Sequence, residues 1–85
     1  MTKIGEFNMI KARWRIGPDT QIGNFNFLSP NVFFSGVSKI GNGNLFGINS
    51  ATILGVEVGN HNKIMAGMVL DKNIANDETV FYRHK

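Results

Sequence analysis

Cysteine is absent from the 85 residues, so neither a disulfide framework nor a thiolate metal site is open to this chain. The two prolines are isolated, which leaves no proline-rich linker. No apolar run approaches the ~20 residues of a membrane-spanning helix, and the N-terminus lacks a signal-peptide apolar segment. The chain therefore reads as soluble, cytoplasmic and without a membrane partner. Positive charge is sparse, with a formal net charge of +3. Lys11, Arg13 and Arg15 form one basic cluster, and Arg83, His84 and Lys85 a basic end. Neither accompanies a nucleic-acid motif, so no nucleic-acid partner is expected. A chain this short buries little of its surface unaided, and self-association is the staple left to it.

What the sequence does have is a period. Ile22-Gly23-Asn24-Phe25-Asn26-Phe27 returns as Ile40-Gly41-Asn42-Gly43-Asn44-Leu45 and as Val58-Gly59-Asn60-His61-Asn62-Lys63. A looser copy, Ile4-Gly5-Glu6-Phe7-Asn8-Met9, precedes them. A fixed repeat of this length marks a stacked architecture. Inside the long repeat runs a shorter one. Steps of six from Ile4 land on Ile10, Ile16, Ile22, Leu28, Phe34, Ile40, Phe46, Thr52, Val58, Ile64 and Leu70, all apolar except Thr52. A six-residue period is neither helical nor simple alternation. It describes a short strand plus a tight turn, with three such sides closing a coil of eighteen.

The residues around the anchors agree. Glycine follows at Gly5, Gly17, Gly23, Gly41, Gly47 and Gly59, where a corner requires positive φ or close backbone approach. Asn or Asp then often occupies the tip, as at Asn24, Asn42, Asn60 and Asp19, and Asn tolerates the left-handed region. Two positions before the anchors, Thr20, Asn26, Val32, Ser38, Asn44, Ser50, Val56, Asn62, Met68 and Ile74 are expected to point inward. Coils stacked about 4.8 Å apart align Asn8, Asn26, Asn44 and Asn62 as an amide ladder that satisfies buried polar groups. Trp14 falls where a small inward residue is expected, which predicts an irregular first coil or a lid. The alternation from Lys11 to Ile16 reads as a strand with one apolar face. The pattern breaks at Asp71-Lys72-Asn73, Asn76-Asp77-Glu78 reads as a turn, and Val80, Phe81 and Tyr82 as a last extended segment. The end coils leave backbone groups unpaired, which repeat proteins commonly cap. The expectation is one all-β domain over 1–85, a prism of about four 18-residue triangular coils at 4–75 with a tail at 76–85.

This pattern resembles the hexapeptide-repeat, left-handed parallel β-helix. The handedness comes from the resemblance, since the general crossover rule favours the opposite hand. The run from Asp19 to Asn73 is similar to the C-terminal β-helix of sugar acetyltransferases of the sialic-acid O-acetyltransferase and bacillosamine-pathway N-acetyltransferase group. Ile22-Gly23-Asn24-Phe25, Ser35-Gly36 before Lys39-Ile40-Gly41, and Phe46-Gly47-Ile48-Asn49-Ser50 carry it. The resemblance implies a homotrimer with acetyl-CoA in the groove between prisms and a sugar nucleotide beside it. It implies a histidine base, oriented by an acid, that deprotonates the sugar amine or hydroxyl, and a backbone N–H that steadies the oxyanion. The acid falls on Asp19, but the histidine falls on Pro18, and a second histidine lining the acetyl-CoA site falls on Phe27. The cofactor contacts fall on Gly36, Ile48 and Ala66. The resemblance covers only the back half of a family member, without its sugar-nucleotide subdomain and first coils.

Outside that carry-over little chemistry is visible. His61 sits at a corner and His84 in the basic end, and two histidines do not make a three-ligand zinc site, so no metal is expected. Ser35, Ser38 and Ser50 lack an activating base, and Asp19, Glu57, Asp71 and Asp77 form no paired-carboxylate arrangement. Three functions compete: an acyltransferase-like domain, truncated and lacking its usual base; a non-catalytic trimeric binding or scaffold module; and a surface-binding prism. The last needs a threonine array, and Thr20 and Thr52 do not share a column.

Overall fold

The structure is a computed structural model and describes residues 1–81. The first coil contains β1 (Lys3–Ile4), β2 (Met9–Ile10) and β3 (Arg15–Ile16). The second contains β4 (Gln21–Ile22), β5 (Phe27–Leu28) and β6 (Phe33–Phe34), and the third β7 (Lys39–Ile40), β8 (Leu45–Phe46) and β9 (Ala51–Thr52). The fourth contains β10 (Glu57–Val58), β11 (Lys63–Ile64) and β12 (Val69–Leu70), after which β13 (Thr79–Val80) follows. Pairing is parallel throughout and runs β1-β4-β7-β10, β2-β5-β8-β11-β13 and β3-β6-β9-β12. Each side of the prism is thus one column of strands, and Ile4, Ile22, Ile40 and Val58 line up as register partners.

The anchors fill the axis. Leu28, Phe34, Phe46 and Ile64 are wholly buried, and Ile22, Ile40, Val58 and Leu70 nearly so. Burying such a side chain stabilises by roughly 1.5–3 kcal/mol. Phe34 and Phe46, from different sides and adjacent coils, meet edge to face at 4.9 Å and 70°. That geometry suits the ring quadrupoles and plugs the middle of the prism. The polar exception, Thr52, is buried with its hydroxyl 2.9 Å from that of Ser38, which itself donates to the Ser35 carbonyl at 2.7 Å.

The expected inward column is buried from Thr20 to Asn62. The asparagine ladder forms as well. Asn26 N–H donates to Asn8 Oδ1 at 2.8 Å, Asn44 N–H to Asn26 Oδ1 at 2.8 Å, and Asn62 N–H to Asn44 Oδ1 at 2.9 Å. Each amide nitrogen donates onward, as Asn44 Nδ2 does to the Gly59 carbonyl at 2.8 Å.

Three expectations are corrected. At the first corner the left-handed residue is not the asparagine after glycine but the one beyond it, at Phe7, Phe25, Gly43 and His61, whereas Asp19 is left-handed as expected at φ 57. Asn24, Asn42 and Asn60 instead build a second, outer ladder: Asn24 N–H donates to Asn42 Oδ1 at 2.7 Å and Asn42 N–H to Asn60 Oδ1 at 2.8 Å. The glycines of this corner keep ordinary φ and serve close approach: a methyl at Gly41 would lie 2.4 Å from the Gly59 carbonyl oxygen. Lys11 to Ile16 is not one strand, because a corner with Arg13 at φ 61 interrupts it. Trp14 is 46% exposed, yet β3 keeps full register with β6, so the first coil is regular.

The break after Leu70 is a shortening. Ladder bonds that span 18 residues upstream span 16 from Asn60 to Asn76 and from Asn62 to Glu78. Ile74 therefore moves from the expected inward position onto the anchor column, bridging Val58. Residues 76–77 bend as expected, and β13 stacks on β11. Tyr82, Arg83, His84 and Lys85 lie outside the described residues.

Candidate functional site

The prism has three kinds of corner. The first follows the β1 column and carries both asparagine ladders. The second (11–14, 29–32, 47–50, 65–68) and third (17–20, 35–38, 53–56) have none. This difference sets what the backbone offers. At the first corner the N–H two residues past the anchor is accepted by a side chain one coil on, as Glu6 N–H is by Asn24 Oδ1 at 2.7 Å. At the second corner the equivalent positions are Pro30, Ile48 and Ala66, and at the third Pro18, Gly36 and Leu54. None of these has a side-chain oxygen, so the N–H groups of Gly36 and Ile48 receive no ladder acceptor. All three cofactor-contact positions predicted from sequence, Gly36, Ile48 and Ala66, occupy this one place in the repeat.

One prism does not bring all three together. Ile48 and Ala66 share the second corner in consecutive coils, where Gly67 N–H donates to the Ile48 carbonyl at 2.8 Å. Both are exposed. Gly36 is buried at the third corner, across β9 from Ile48. A methyl at Gly36 would meet the Pro18 carbonyl oxygen at 3.0 Å and the Pro18 ring at 3.3 Å. Beside them lies an open depression of about 380 Å³ lined by Arg15, Ile16, Gly17, Pro18, Phe33, Ser35 and Gly36. Its walls are mostly apolar, with Arg15 and Ser35 as the polar side chains.

Asp19 adjoins this depression at φ 57, and its exposed carboxylate pairs with the Met1 ammonium group. Among the described residues it orients no histidine. Pro18 instead gives its carbonyl to Val37 N–H at 2.9 Å. Phe27 faces outward from the second side, half-buried, with Lys11 Nζ 6.0 Å from its ring centre. That contact is a cation–π pair at the limit of useful range.

His61 is exposed at the first corner, its ring lying over Gly43: a methyl there would be 2.8 Å from Nδ1. Among the described residues no hydrogen bond or ion pair orients that ring. Ser38 and Ser50 are buried and donate to the carbonyls of Ser35 and Gly47 at 2.7 Å each, which marks them as corner braces. No group of three metal-binding side chains occurs among the described residues. A groove of about 830 Å³ runs along the first side over Gly5, Gly23, Gly41 and Gly59. None of Asp19, Gly36, Ile48 or Ala66 lines it.

Two of the similar solved structures are informative. One is a histidine-to-asparagine mutant of perosamine N-acetyltransferase from Caulobacter crescentus in complex with CoA and GDP-perosamine. It superposes with a TM-score of 0.89 at 22% identity over 92% of this chain and 37% of that one. The other is PerB from the same organism, also with CoA and GDP-perosamine, at a TM-score of 0.64 and 15% identity over 89% of this chain and 53% of that one. The fold is a left-handed parallel β-helix. The chain spans well under two thirds of either structure. No family model matches the sequence, and no curated protein matches it. Among the described residues no helix is long and apolar enough to cross a membrane.

The uncapped N–H positions belong to no sequence motif. The signal was in the sequence: asparagine recurs two residues past the anchor at one corner and is missing from the other two.

Proposed function

We propose that this chain is an acyltransferase-like β-helix module that binds acetyl-CoA in a groove between copies and lacks, by itself, the base for acetyl transfer. The single observation that carries it is the N–H of Gly36 and of Ile48, neither of which receives a ladder acceptor among the described residues, at the place in the repeat that Ala66 also occupies. A pantetheine arm carries amide carbonyls, and an extended amide chain lying along such N–H groups satisfies donors that the protein leaves open. Arg15 supplies a cation at the Gly36 depression, matched to the phosphates of acetyl-CoA. The separation of Gly36 from Ile48 and Ala66 onto two corners supports assembly. A groove joining both corner types requires two prisms side by side, as a homotrimer provides.

The sugar acetyltransferase among the similar structures holds CoA and GDP-perosamine, which favours a sugar nucleotide as the second ligand. Acetyl transfer to its amine needs a base within hydrogen-bond reach. Asp19 stands where the resemblance puts the orienting acid, while Pro18 has no ionisable group. The reaction class is therefore inherited, and the chain alone holds the acyl donor without activating the acceptor. A non-catalytic trimeric scaffold is the second reading, favoured by the same Pro18.

Titration calorimetry with acetyl-CoA at trimer-level concentrations separates the two: binding supports the module, and no heat supports the scaffold. Thiol release with amino-sugar nucleotides is expected at background in the unaltered chain. In Pro18→His it should rise about 10²–10⁴-fold, the usual contribution of a positioned base. Turnover in the unaltered protein that His61→Ala abolishes would overturn this assignment.

A further inference from the structure

The outer asparagine ladder places three residues in one setting with different successors. Asn24 precedes Phe25, Asn42 precedes Gly43 and Asn60 precedes His61. The successor matters because an asparagine side chain is open to attack by the backbone nitrogen that follows it. Glycine alone has no Cβ to hinder that approach, and Asn42-Gly43 is the one Asn-Gly pair in the chain. Glycine stands there for reasons of fold. Its backbone is left-handed at φ 69, and the His61 ring occupies the space of a side chain, with Nδ1 2.8 Å from a methyl placed on Gly43.

The folded corner commits both reacting groups elsewhere. Gly43 N–H donates to the Asn24 carbonyl at 2.9 Å, which ties its nitrogen to the coil before. Asn42 Oδ1 accepts the Asn24 N–H at 2.7 Å, which turns the side chain toward that same coil. On the other side, Asn42 N–H donates to Asn60 Oδ1 at 2.8 Å, and the Asn42 carbonyl accepts the His61 N–H at 2.9 Å. The dipeptide is thus held from both neighbouring coils. Yet Asn42 is exposed, and surface hydrogen bonds belong to the part of a structure that opens locally. The inner asparagines differ in both respects. Asn26, Asn44 and Asn62 are buried and precede Phe27, Leu45 and Lys63.

We propose that Asn42 is a site of spontaneous deamidation, gated by opening of the first corner of the third coil, whose two products act oppositely on the prism. In the opened corner the Gly43 nitrogen loses its proton and bonds to Asn42 Cγ. The Cγ–Nδ2 bond breaks, and Nδ2 leaves as ammonia with that proton. Water then opens the five-membered imide. Cleavage at the side-chain carbonyl gives aspartate on an ordinary backbone. Cleavage at the main-chain carbonyl gives isoaspartate, in which the backbone runs through Cβ and Cγ. Water is the sole co-reactant.

The ladder distinguishes the two. The outer column uses the asparagine oxygen, as Glu6 N–H does with Asn24 Oδ1 and Asn42 N–H with Asn60 Oδ1. Aspartate keeps that oxygen and makes it a stronger acceptor. Isoaspartate instead lengthens the main chain between the Asn42 N–H, bonded to the coil after, and the Gly43 N–H, bonded to the coil before. One corner cannot then keep both bonds, and Asn44, two residues on, loses its register with Asn26. The site is independent of the acyl-CoA reading, which uses the second and third corners.

The full chain is held at mildly alkaline pH in buffer and, in parallel, in denaturing urea, with peptides followed by mass spectrometry. Conversion of amide to acid is expected at Asn42 ahead of every other asparagine, and at least about tenfold faster in urea, where no corner has to open first. Asn60→Ala removes the acceptor of the Asn42 N–H and leaves Asn42-Gly43 intact, so it should speed conversion in buffer at least about threefold. Gly43→Asn should suppress conversion at Asn42 in urea, a readout that needs no folded state. After chromatographic separation and refolding, the isoaspartyl form should melt at least about 4 °C below the parent, and Asn42→Asp within about 4 °C of it. Equal rates in buffer and urea, faster conversion at another asparagine, or no effect of either Asn60→Ala or Gly43→Asn would each overturn the proposal. So would an isoaspartyl form as stable as the parent, or an Asn42→Asp protein that melts as low as the isoaspartyl form.

Discussion

Among the described residues, Val37 is a β-branched side chain held at positive φ. It stands at φ 62 in a series of left-handed residues spaced six apart along the chain, others of which are Asn31, Gly43, Asn49 and Gly55. A β-branched residue there is strained by about 1–2 kcal/mol, yet the corner retains it because Val37 N–H must reach the Pro18 carbonyl. Val37→Asn keeps that bond and relieves the strain, since the side chain is half-exposed and little packing is lost. The urea midpoint is expected to rise, corresponding to a gain of about 1 kcal/mol. Thr52 is the opposite case, a polar residue in an apolar column that costs little. Its hydroxyl has one partner, Ser38, whose own proton is committed to Ser35. Thr52→Val removes both the bond and the buried hydroxyl, and should change stability by less than about 1.5 kcal/mol in equilibrium unfolding.

The two asparagine ladders belong to the same corner but differ in burial, and that difference is measurable. Asn44 is 1% exposed. Its loss strands the Asn62 N–H and the Gly59 carbonyl together. Asn44→Ala should cost about 2–5 kcal/mol, since each orphaned buried group costs about 1–3 kcal/mol. Asn42 caps only Asn24 N–H, at an exposed site. Water can replace it, and Asn42→Ala should cost about 1 kcal/mol or less. Thermal melts of the two variants give the ranking; equal losses would mean that the inner column is not sealed from water. Nearest-neighbour stacking also explains why the two-residue slip after Leu70 does no harm upstream: each coil answers only to those beside it.

At the scale of the whole prism, stability falls toward the ends. The second and third coils are covered on both sides, whereas the first has half-exposed anchors. Native-state amide exchange should therefore be slowest at Gly23, Phe27 and Gly41 and clearly faster at Lys3, Met9 and Arg15, although all donate to the following coil. Uniform protection would show that the molecule opens only globally, which a linear array does not require. The assembly proposal belongs to this scale too, because neither Gly36 nor the pair Ile48 and Ala66 makes a site within one copy.

The sequence by itself determined the anchors, the triangular coil and the inner asparagine column. Each of those follows from a spacing that a single strand-and-turn unit must repeat to bury its one apolar residue. Handedness and the sugar-acetyltransferase likeness came from resemblance, and the similar structures bear out the hand while the likeness in function stays a proposal. Only the tertiary structure decided which corner residue turns left-handed, because that choice is made by a hydrogen bond to the coil before. It alone moved Ile74 onto the anchor column, since register is a relation between two coils and not a property of either. It alone set Gly36 and Ile48 on different corners, which residue spacing along the chain states but only a closed prism turns into distance.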